Sequence, residues 1–129
     1  MKFNKLLIAT LFASAILVAC RKDNKSNAAL EGSWTGRYGF ENEGLSEFYS
    51  FRIKPDGVLE EYGEAGMKIG TGRWTLENNI FSGYTISTLG SENKYSVIAA
   101  FDASGGKLSG NWGFGESTTD GGTWEMQKQ

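Results

Sequence analysis

The stretch Gly32-Ser33-Trp34-Thr35-Gly36-Arg37-Tyr38-Gly39-Phe40 decides the fold, because its side chains alternate between an aromatic and a polar side. In an extended chain Trp34, Tyr38 and Phe40 share one side, which is the pattern of a β-strand with one buried face. Glycine recurs too often here for a long helix. The stretch is therefore predicted to be the first strand of an all-β domain.

Seven further segments are predicted strands: Ser46–Lys54, Val58–Tyr62, Met67–Leu76, Ile80–Ser87, Lys94–Asp102, Lys107–Phe114 and Gly122–Lys128. Regular strands with short turns, such as Pro55-Asp56-Gly57, indicate a sandwich or a barrel. Short connections favour antiparallel pairing between neighbours, and pairing the last strand with the first removes both exposed edges. We therefore predict an eight-stranded antiparallel up-and-down (meander) β-barrel over residues 31–129, in preference to a sandwich.

All four tryptophans follow a glycine by two positions, at Trp34, Trp74, Trp112 and Trp124. Each pair shares one face of its strand, and the glycine is expected to leave room beside the ring and to let the strand coil. The tryptophans either fill the core or form an aromatic wall around a ligand. Gly32-Ser33-Trp34 resembles the motif that opens calycin barrels, the lipocalins and avidins among them. The resemblance implies a lipocalin-like barrel with Trp34 at its closed end; Thr119-Asp120-Gly121 departs from the lipocalin pattern, and no biotin site is carried over.

The first residues have the layout of a secretory signal: a basic head, an apolar run from Leu6 to Ala19, and small residues at its end. Leu17-Val18-Ala19-Cys20 resembles the bacterial lipobox, with Cys20 the only cysteine of the chain. The resemblance implies removal of residues 1–19 and acylation of Cys20 with palmitate-type chains, two or more of which hold a protein stably on a membrane. The alternative is a buried apolar cysteine in an N-terminal helix.

Residues 20–30 are predicted to be the lipidated cysteine and a flexible, basic tether. Arg21 stands where inner-membrane lipoproteins of enterobacteria carry Asp, so the resemblance implies the outer membrane of a Gram-negative bacterium. Lys22-Asp23 resembles the charged tracts of surface-exposed lipoproteins. A solvated spacer near anionic headgroups is the other interpretation, and both a periplasmic and a surface position stay open.

Charge and composition argue against several classes of function. Residues 31–129 carry eight basic and fourteen acidic side chains, and this acidic balance speaks against nucleic acid as a partner. The chain has no histidine and no second cysteine, so we expect no enzyme, no metal site and no cofactor besides the lipid on Cys20. Glu60 is in register with Val58 and Tyr62; if that face is inward, its carboxylate needs a partner such as Arg37, Arg52 or Arg73.

Three functions are compatible with this sequence. The favoured one is a lipid-anchored envelope protein that binds a small, partly apolar ligand in the barrel mouth. The candidate ligand-binding residues are aromatic: Tyr38, Tyr49, Phe51, Tyr62, Trp74, Tyr84, Tyr95, Trp112 and Trp124. The second is an inhibitor of lysozyme or of a secreted protease, which would bind its protein partner through loops 41–45, 63–66 and 115–121. The third is a structural envelope lipoprotein with a filled core.

Overall fold

A computed structural model describes residues 27–129 of the chain. Eight strands follow one another: β1 (Gly32–Phe40), β2 (Glu47–Ile53), β3 (Val58–Tyr62), β4 (Lys68–Glu77), β5 (Ile80–Ser87), β6 (Lys94–Asp102), β7 (Lys107–Phe114) and β8 (Gly122–Lys128). Each strand pairs antiparallel with its neighbour in sequence, and β8 closes the barrel against β1. The predicted closed meander barrel is confirmed, and its form is consistent with a calycin-like domain.

The up-and-down order divides the connections between the two ends of the barrel. The turns β2–β3, β4–β5 and β6–β7 lie at the end where β1 begins. The four longer loops, over residues 41–46, 63–67, 88–93 and 115–121, lie at the opposite end, which we call the mouth. All three loops that the sequence offered as a binding surface therefore lie at the mouth.

The closed end is plugged by two fully buried side chains, Leu30 and Trp34. Residues 27–30 form a helical turn, and the Trp34 indole N–H donates a 2.7 Å hydrogen bond to the Leu30 carbonyl oxygen. Lys128 also donates to the Ala29 carbonyl oxygen, at 2.8 Å. The expected position of Trp34 at the closed end agrees with this geometry. Of the predicted tether, residues 27–30 form this helical turn with Leu30 buried, and residues 20–26 lie outside the described residues.

Next to this plug, the interior of the barrel is solidly filled by aromatic rings. Phe51, Phe81 and Trp124 are fully buried. Their ring centroids lie 5.6 to 6.5 Å apart, within the range of favourable aromatic contacts. The rings of this half of the barrel therefore pack against one another.

Three of the four glycines of the Gly-x-Trp units lie against the backbone of a neighbouring strand. A Cβ atom added to Gly72 would lie 1.8 Å from the Tyr84 carbonyl oxygen, and one added to Gly110 would lie 2.0 Å from that of Ile98. At Gly122 the nearest backbone oxygen would be 1.9 Å away. These three glycines allow adjacent backbones to approach closely, as a tightly coiled barrel requires.

Within residues 27–129, no helix is both long enough and apolar enough to cross a membrane.

Candidate ligand-binding site

The mouth half of the barrel holds a cavity of about 280 Å³. Side chains from β1 to β7 and from the β5–β6 loop surround it. The lining consists of Tyr38, Phe40, Tyr49, Glu61, Ile69, Ser87, Leu89, Tyr95, Trp112 and Phe114. Three of these form an exposed apolar rim, since Phe40 is 43%, Phe114 49% and Leu89 63% exposed. The site is therefore concave and mainly aromatic, as small-molecule sites usually are.

The aromatic wall is organised around Tyr38 and Trp112, whose ring centroids are 5.4 Å apart in an edge-to-face arrangement. Tyr38 also packs against Tyr49 at 5.1 Å, and Trp112 packs against Phe114 at 5.1 Å. The Trp112 indole N–H donates a 3.0 Å hydrogen bond to the Gly39 carbonyl oxygen. Because its polar group is held by the backbone of β1, Trp112 presents a fixed ring to the cavity.

Among residues 27–129, Glu61 is the only charged residue that lines the cavity, and sequence reasoning missed it. On β3 it pairs with Phe51, so both side chains face inward. Its Oε1 atom accepts a 2.8 Å hydrogen bond from the Thr85 hydroxyl on β5. This bond passes over Gly70 of β4, where an added Cβ would lie 3.3 Å from Thr85 Cβ and 3.4 Å from Glu61 Cβ. Because residue 70 is a glycine, the Glu61 carboxylate has room to reach the Thr85 hydroxyl across β4.

Burial raises the pKa values of three groups in this cavity. Desolvation raises the pKa of Glu61 above its ordinary value, and the hydrogen bond from Thr85 offsets part of that effect. The pKa values of Tyr38 and Tyr49 are also raised, first by burial and then by negative charge that includes Glu61. Perturbed groups gathered in a cleft are typical of functional sites.

Glu60 lies on the outer face, opposite to the inward orientation that the sequence left open. Its carboxylate lies 3.2 Å from the Lys54 Nζ atom and 3.4 Å from that of Lys68, and it accepts a 3.1 Å hydrogen bond from the Tyr62 hydroxyl. Burial acts to raise its pKa, but the hydrogen bonds and charges of these neighbours lower it overall. The partners are lysines and a tyrosine, not one of the three arginines named as candidates.

The nine predicted ligand-binding residues fall into three groups. Tyr38, Tyr49, Tyr95 and Trp112 line the cavity. Phe51, Trp74 and Trp124 belong to the buried core below it. Two tyrosines lie outside the barrel: the Arg52 guanidinium stacks on Tyr62, and the Lys94 ammonium lies over Tyr84 at 4.4 Å.

Tyr62 and Tyr84 do not line this cavity, because their side chains lie on the outer side of β3 and β5. Tyr84 pairs with Arg73, whereas the inward Trp74 pairs with Gly83. Cys20, the predicted lipidation site, lies outside the described residues.

The tryptophans of the core are anchored through their polar atoms. The indole N–H of Trp74 donates to the Lys54 carbonyl oxygen at 2.8 Å, and that of Trp124 donates to the Asn111 carbonyl oxygen at 2.9 Å. A buried indole needs such a partner. Both residues belong to the packed core, and Trp112 is the tryptophan that lines the cavity.

The loops around the mouth are uniformly acidic. Residues 41–46, 63–67, 88–93 and 115–121 contain no lysine or arginine. They carry six carboxylates: Glu41, Glu43, Glu64, Glu92, Glu116 and Asp120. Of these, Glu116 forms an ion pair with Lys94 at the start of β6. The mouth is thus a region of concentrated negative charge in front of the aromatic cavity.

Comparisons with known proteins do not extend this description. No protein-family model, no curated protein and no solved structure matches the chain. Within residues 27–129, no group of three or more acidic, histidine or cysteine side chains is arranged to hold a metal ion. The site is an aromatic cavity with one carboxylate, which can enclose an apolar group and pair with a positive or hydrogen-bond-donating one.

Proposed function

We propose that this protein is a lipid-anchored envelope protein whose barrel mouth binds a small, partly apolar ligand. The observation that carries the proposal is the division of the barrel interior into two halves. The closed half is packed with rings, whereas the mouth half leaves a cavity of about 280 Å³. Eight strands give a barrel of the size that can hold one small molecule.

The cavity also has the amphipathic lining that an orienting site needs. Rings supply most of its wall, and Glu61, Ser87 and three tyrosines supply polar atoms. Apolar burial would provide most of the binding free energy, at about 25 cal/mol per Å² removed from water. The few polar groups would fix the orientation of the ligand.

A neutral fluorescent probe, N-phenyl-1-naphthylamine, tests the cavity. It should bind the protein at one saturable site, with a blue shift and increased emission as it leaves water. Ser87→Phe, which places a ring in the cavity, should weaken the binding at least tenfold. Ser109→Phe is the matched control, since Ser109 pairs with Glu125 on the outer face of β7 and should leave the titration unchanged.

The proposal fails if the probe does not bind, or if Ser87→Phe and Ser109→Phe bind it equally well. Circular dichroism spectra of both variants establish that each retains the barrel. The comparison distinguishes binding in the cavity from binding to an apolar surface patch, because one variant adds the phenylalanine on the inner face of the barrel and the other adds it on the outer face.

The anchor has an independent test on Cys20. If Cys20 is acylated, Cys20→Ala should abolish incorporation of labelled palmitate and release the protein from sedimented membranes, because Cys20 carries the acyl chains. Cys20→Ser, which is close in size and also lacks the sulfur, should behave in the same way. Unchanged labelling in either variant contradicts the lipobox assignment.

A protein partner is a second candidate, favoured by the composition of the mouth. The three loops named from the sequence lie together at this end, and the four mouth loops are acidic without a single lysine or arginine. An inhibitor of a basic secreted enzyme such as lysozyme would use that charge. Inhibition of lysozyme by the purified protein, lost when Glu41, Glu43 and Glu64 are replaced by glutamine, would support this candidate, and absence of inhibition would contradict it.

A further inference from the structure

We infer that the mouth cavity binds a small organic cation, with the ammonium group paired to the Glu61 carboxylate and the apolar body held by the aromatic wall. The inference rests on the proposed ligand-binding function and narrows the class of ligand. Glu61, the charged residue of the cavity, would determine this specificity, whereas the proposed function requires only the cavity itself.

The first argument is the balance of charge inside the cavity. The ion pairs formed among residues 27–129 join lysines to Glu60, Glu116 and Glu125, and none includes Glu61. Thr85 satisfies Oε1 of Glu61 by a hydrogen bond, but a hydroxyl brings no positive charge. A desolvated carboxylate is costly unless it is paired. A cationic ligand would supply the missing positive charge.

The second argument is the chemistry of the wall. Tyr38, Tyr49 and Trp112 line the same cavity as Glu61. The faces of tyrosine and tryptophan rings carry partial negative charge and attract a cation within about 6 Å. Such rings also pack against the apolar part of a ligand. Carboxylate and rings together favour an ammonium group joined to an aromatic or aliphatic body over a neutral or anionic molecule of the same shape.

The third argument is the charge of the approach. The mouth loops present six carboxylates and no basic side chain, so the potential in front of the cavity is negative. Clefts lined by one sign of charge raise the local concentration of the oppositely charged ligand. The lysines at the starts of β4 and β6, Lys68 and Lys94, are engaged by Glu60 and Glu116, and the Arg37 guanidinium donates to the Ser46 carbonyl oxygen. Anions would be repelled on the same path.

Three indoles of nearly the same shape test the inference: tryptamine as the cation, tryptophol as the neutral analogue and indole-3-acetate as the anion. Isothermal titration calorimetry on the purified protein at neutral pH gives the three affinities. Tryptamine should bind at least tenfold more tightly than tryptophol, and indole-3-acetate more weakly than either. Equal binding of tryptamine and tryptophol overturns the inference.

The variant pair Glu61→Gln and Glu60→Gln assigns the preference to one carboxylate. Glu61→Gln should reduce the ratio of the tryptamine and tryptophol affinities to about one while tryptophol binding changes little. Glu60→Gln changes the same residue type one position away on the outer face, and it should preserve the ratio. Loss of the ratio in both variants, or in neither, overturns the assignment to Glu61.

The pH dependence of the wild-type protein gives a second measurement that does not require Glu61→Gln to fold. The cavity groups facing Glu61 are the tyrosines of β1, β2 and β6 and the Thr85 hydroxyl, with no lysine, arginine or second carboxylate among the lining residues. Acidification protonates Glu61 while tryptamine stays cationic, so tryptamine affinity should fall and tryptophol affinity should stay constant. A flat tryptamine profile down to about pH 4, near the ordinary glutamate pKa, overturns the inference.

The results separate this inference from the proposed function. If N-phenyl-1-naphthylamine and tryptophol bind but tryptamine has no advantage, the cavity is a ligand site and the cation preference is wrong. If the probe and all three indoles fail to bind, both proposals are overturned. A tryptamine preference that depends on Glu61 supports both.

Discussion

Glu60 and Glu61 are adjacent carboxyl groups with opposite surroundings, and their replacement should change stability with opposite signs. Burial raises the pKa of Glu61 above the ordinary 4.5, so its ionised form weakens the folded state. This destabilisation is absent at low pH, where Glu61 is protonated, and it develops as the pH rises through the raised pKa. Glu61→Gln should therefore increase the free energy of unfolding at neutral pH, measured by urea denaturation, with the gain vanishing near pH 3.5.

Glu60→Gln should do the reverse. The lowered pKa of Glu60 means that its ionised form stabilises the folded state above the ordinary 4.5 and that this contribution is lost as the pH falls. The variant should have a smaller free energy of unfolding than the wild type at neutral pH and the same one in acid. If both glutamine variants shift stability in the same direction at neutral pH, the inward and outward assignments of β3 are contradicted.

Trp34 joins the plug of the closed end to the core. It is fully buried, contacts Phe101 edge-to-face at 6.1 Å and donates its N–H to Leu30. Trp34→Ala should lower the free energy of unfolding by about 3–5 kcal/mol, because it removes a large buried ring and leaves a cavity. Trp34→Phe, which retains most of the ring, should cost clearly less. If Trp34→Ala left the free energy of unfolding in urea nearly unchanged, the plug would contribute little to stability.

At the scale of elements, close contact between strands depends on glycines that no other residue can replace. An added Cβ at Gly110 would overlap the Ile98 carbonyl oxygen of β6, whereas nothing lies within 4 Å of one at Gly44 in the β1–β2 loop. Gly110→Ala should therefore reduce the midpoint of thermal unfolding by many degrees, as expected for overpacking of about 1–3 kcal/mol or more. Gly44→Ala should leave the midpoint nearly unchanged. Similar midpoints for the two variants would contradict the register of β6 and β7.

The short strand β3 explains why the charged residue of the cavity was missed. Val58 and Tyr62 on one side and Leu59 on the other make both faces of a five-residue strand plausible. A shift of one residue exchanges all inward and outward side chains, so composition alone could not choose between Glu60 and Glu61. The β2–β3 turn determines which face of β3 is inward. Its closing hydrogen bond runs from the Lys54 N–H to the Val58 carbonyl oxygen, and this sets Leu59 opposite the inward Ile53.

At the scale of the whole molecule, the barrel followed from the sequence because its determinants are local. Alternating side chains, short turns and eight strands are readable residue by residue, and closure follows from the cost of free edges. The cavity is different, because it depends on how far side chains from seven strands reach into one space. Tyr49 and Phe51 have the same inward pattern, yet only Tyr49 lines the cavity while Phe51 fills the core.

The distribution of aromatic residues along the barrel divides its interior into a packed half and a half with open space. The rings nearest the plug pack against each other and stabilise the fold, and those nearest the loops remain partly exposed around open space. Acidic loops surround the same end. A molecule that enters from the mouth would therefore meet charge first, an apolar rim second and the Glu61 carboxylate last.

Native mass spectrometry tests the central claim, that the mouth half of this barrel is a ligand site, most directly. The protein is purified under mild conditions from the cells that produce it, both as wild type and as Ser87→Phe with its cavity filled. The account predicts a small-molecule adduct at one per chain on the wild type, and its loss from Ser87→Phe but not from Ser109→Phe. A wild-type protein without adduct, or an adduct that persists when the cavity is filled, would contradict it.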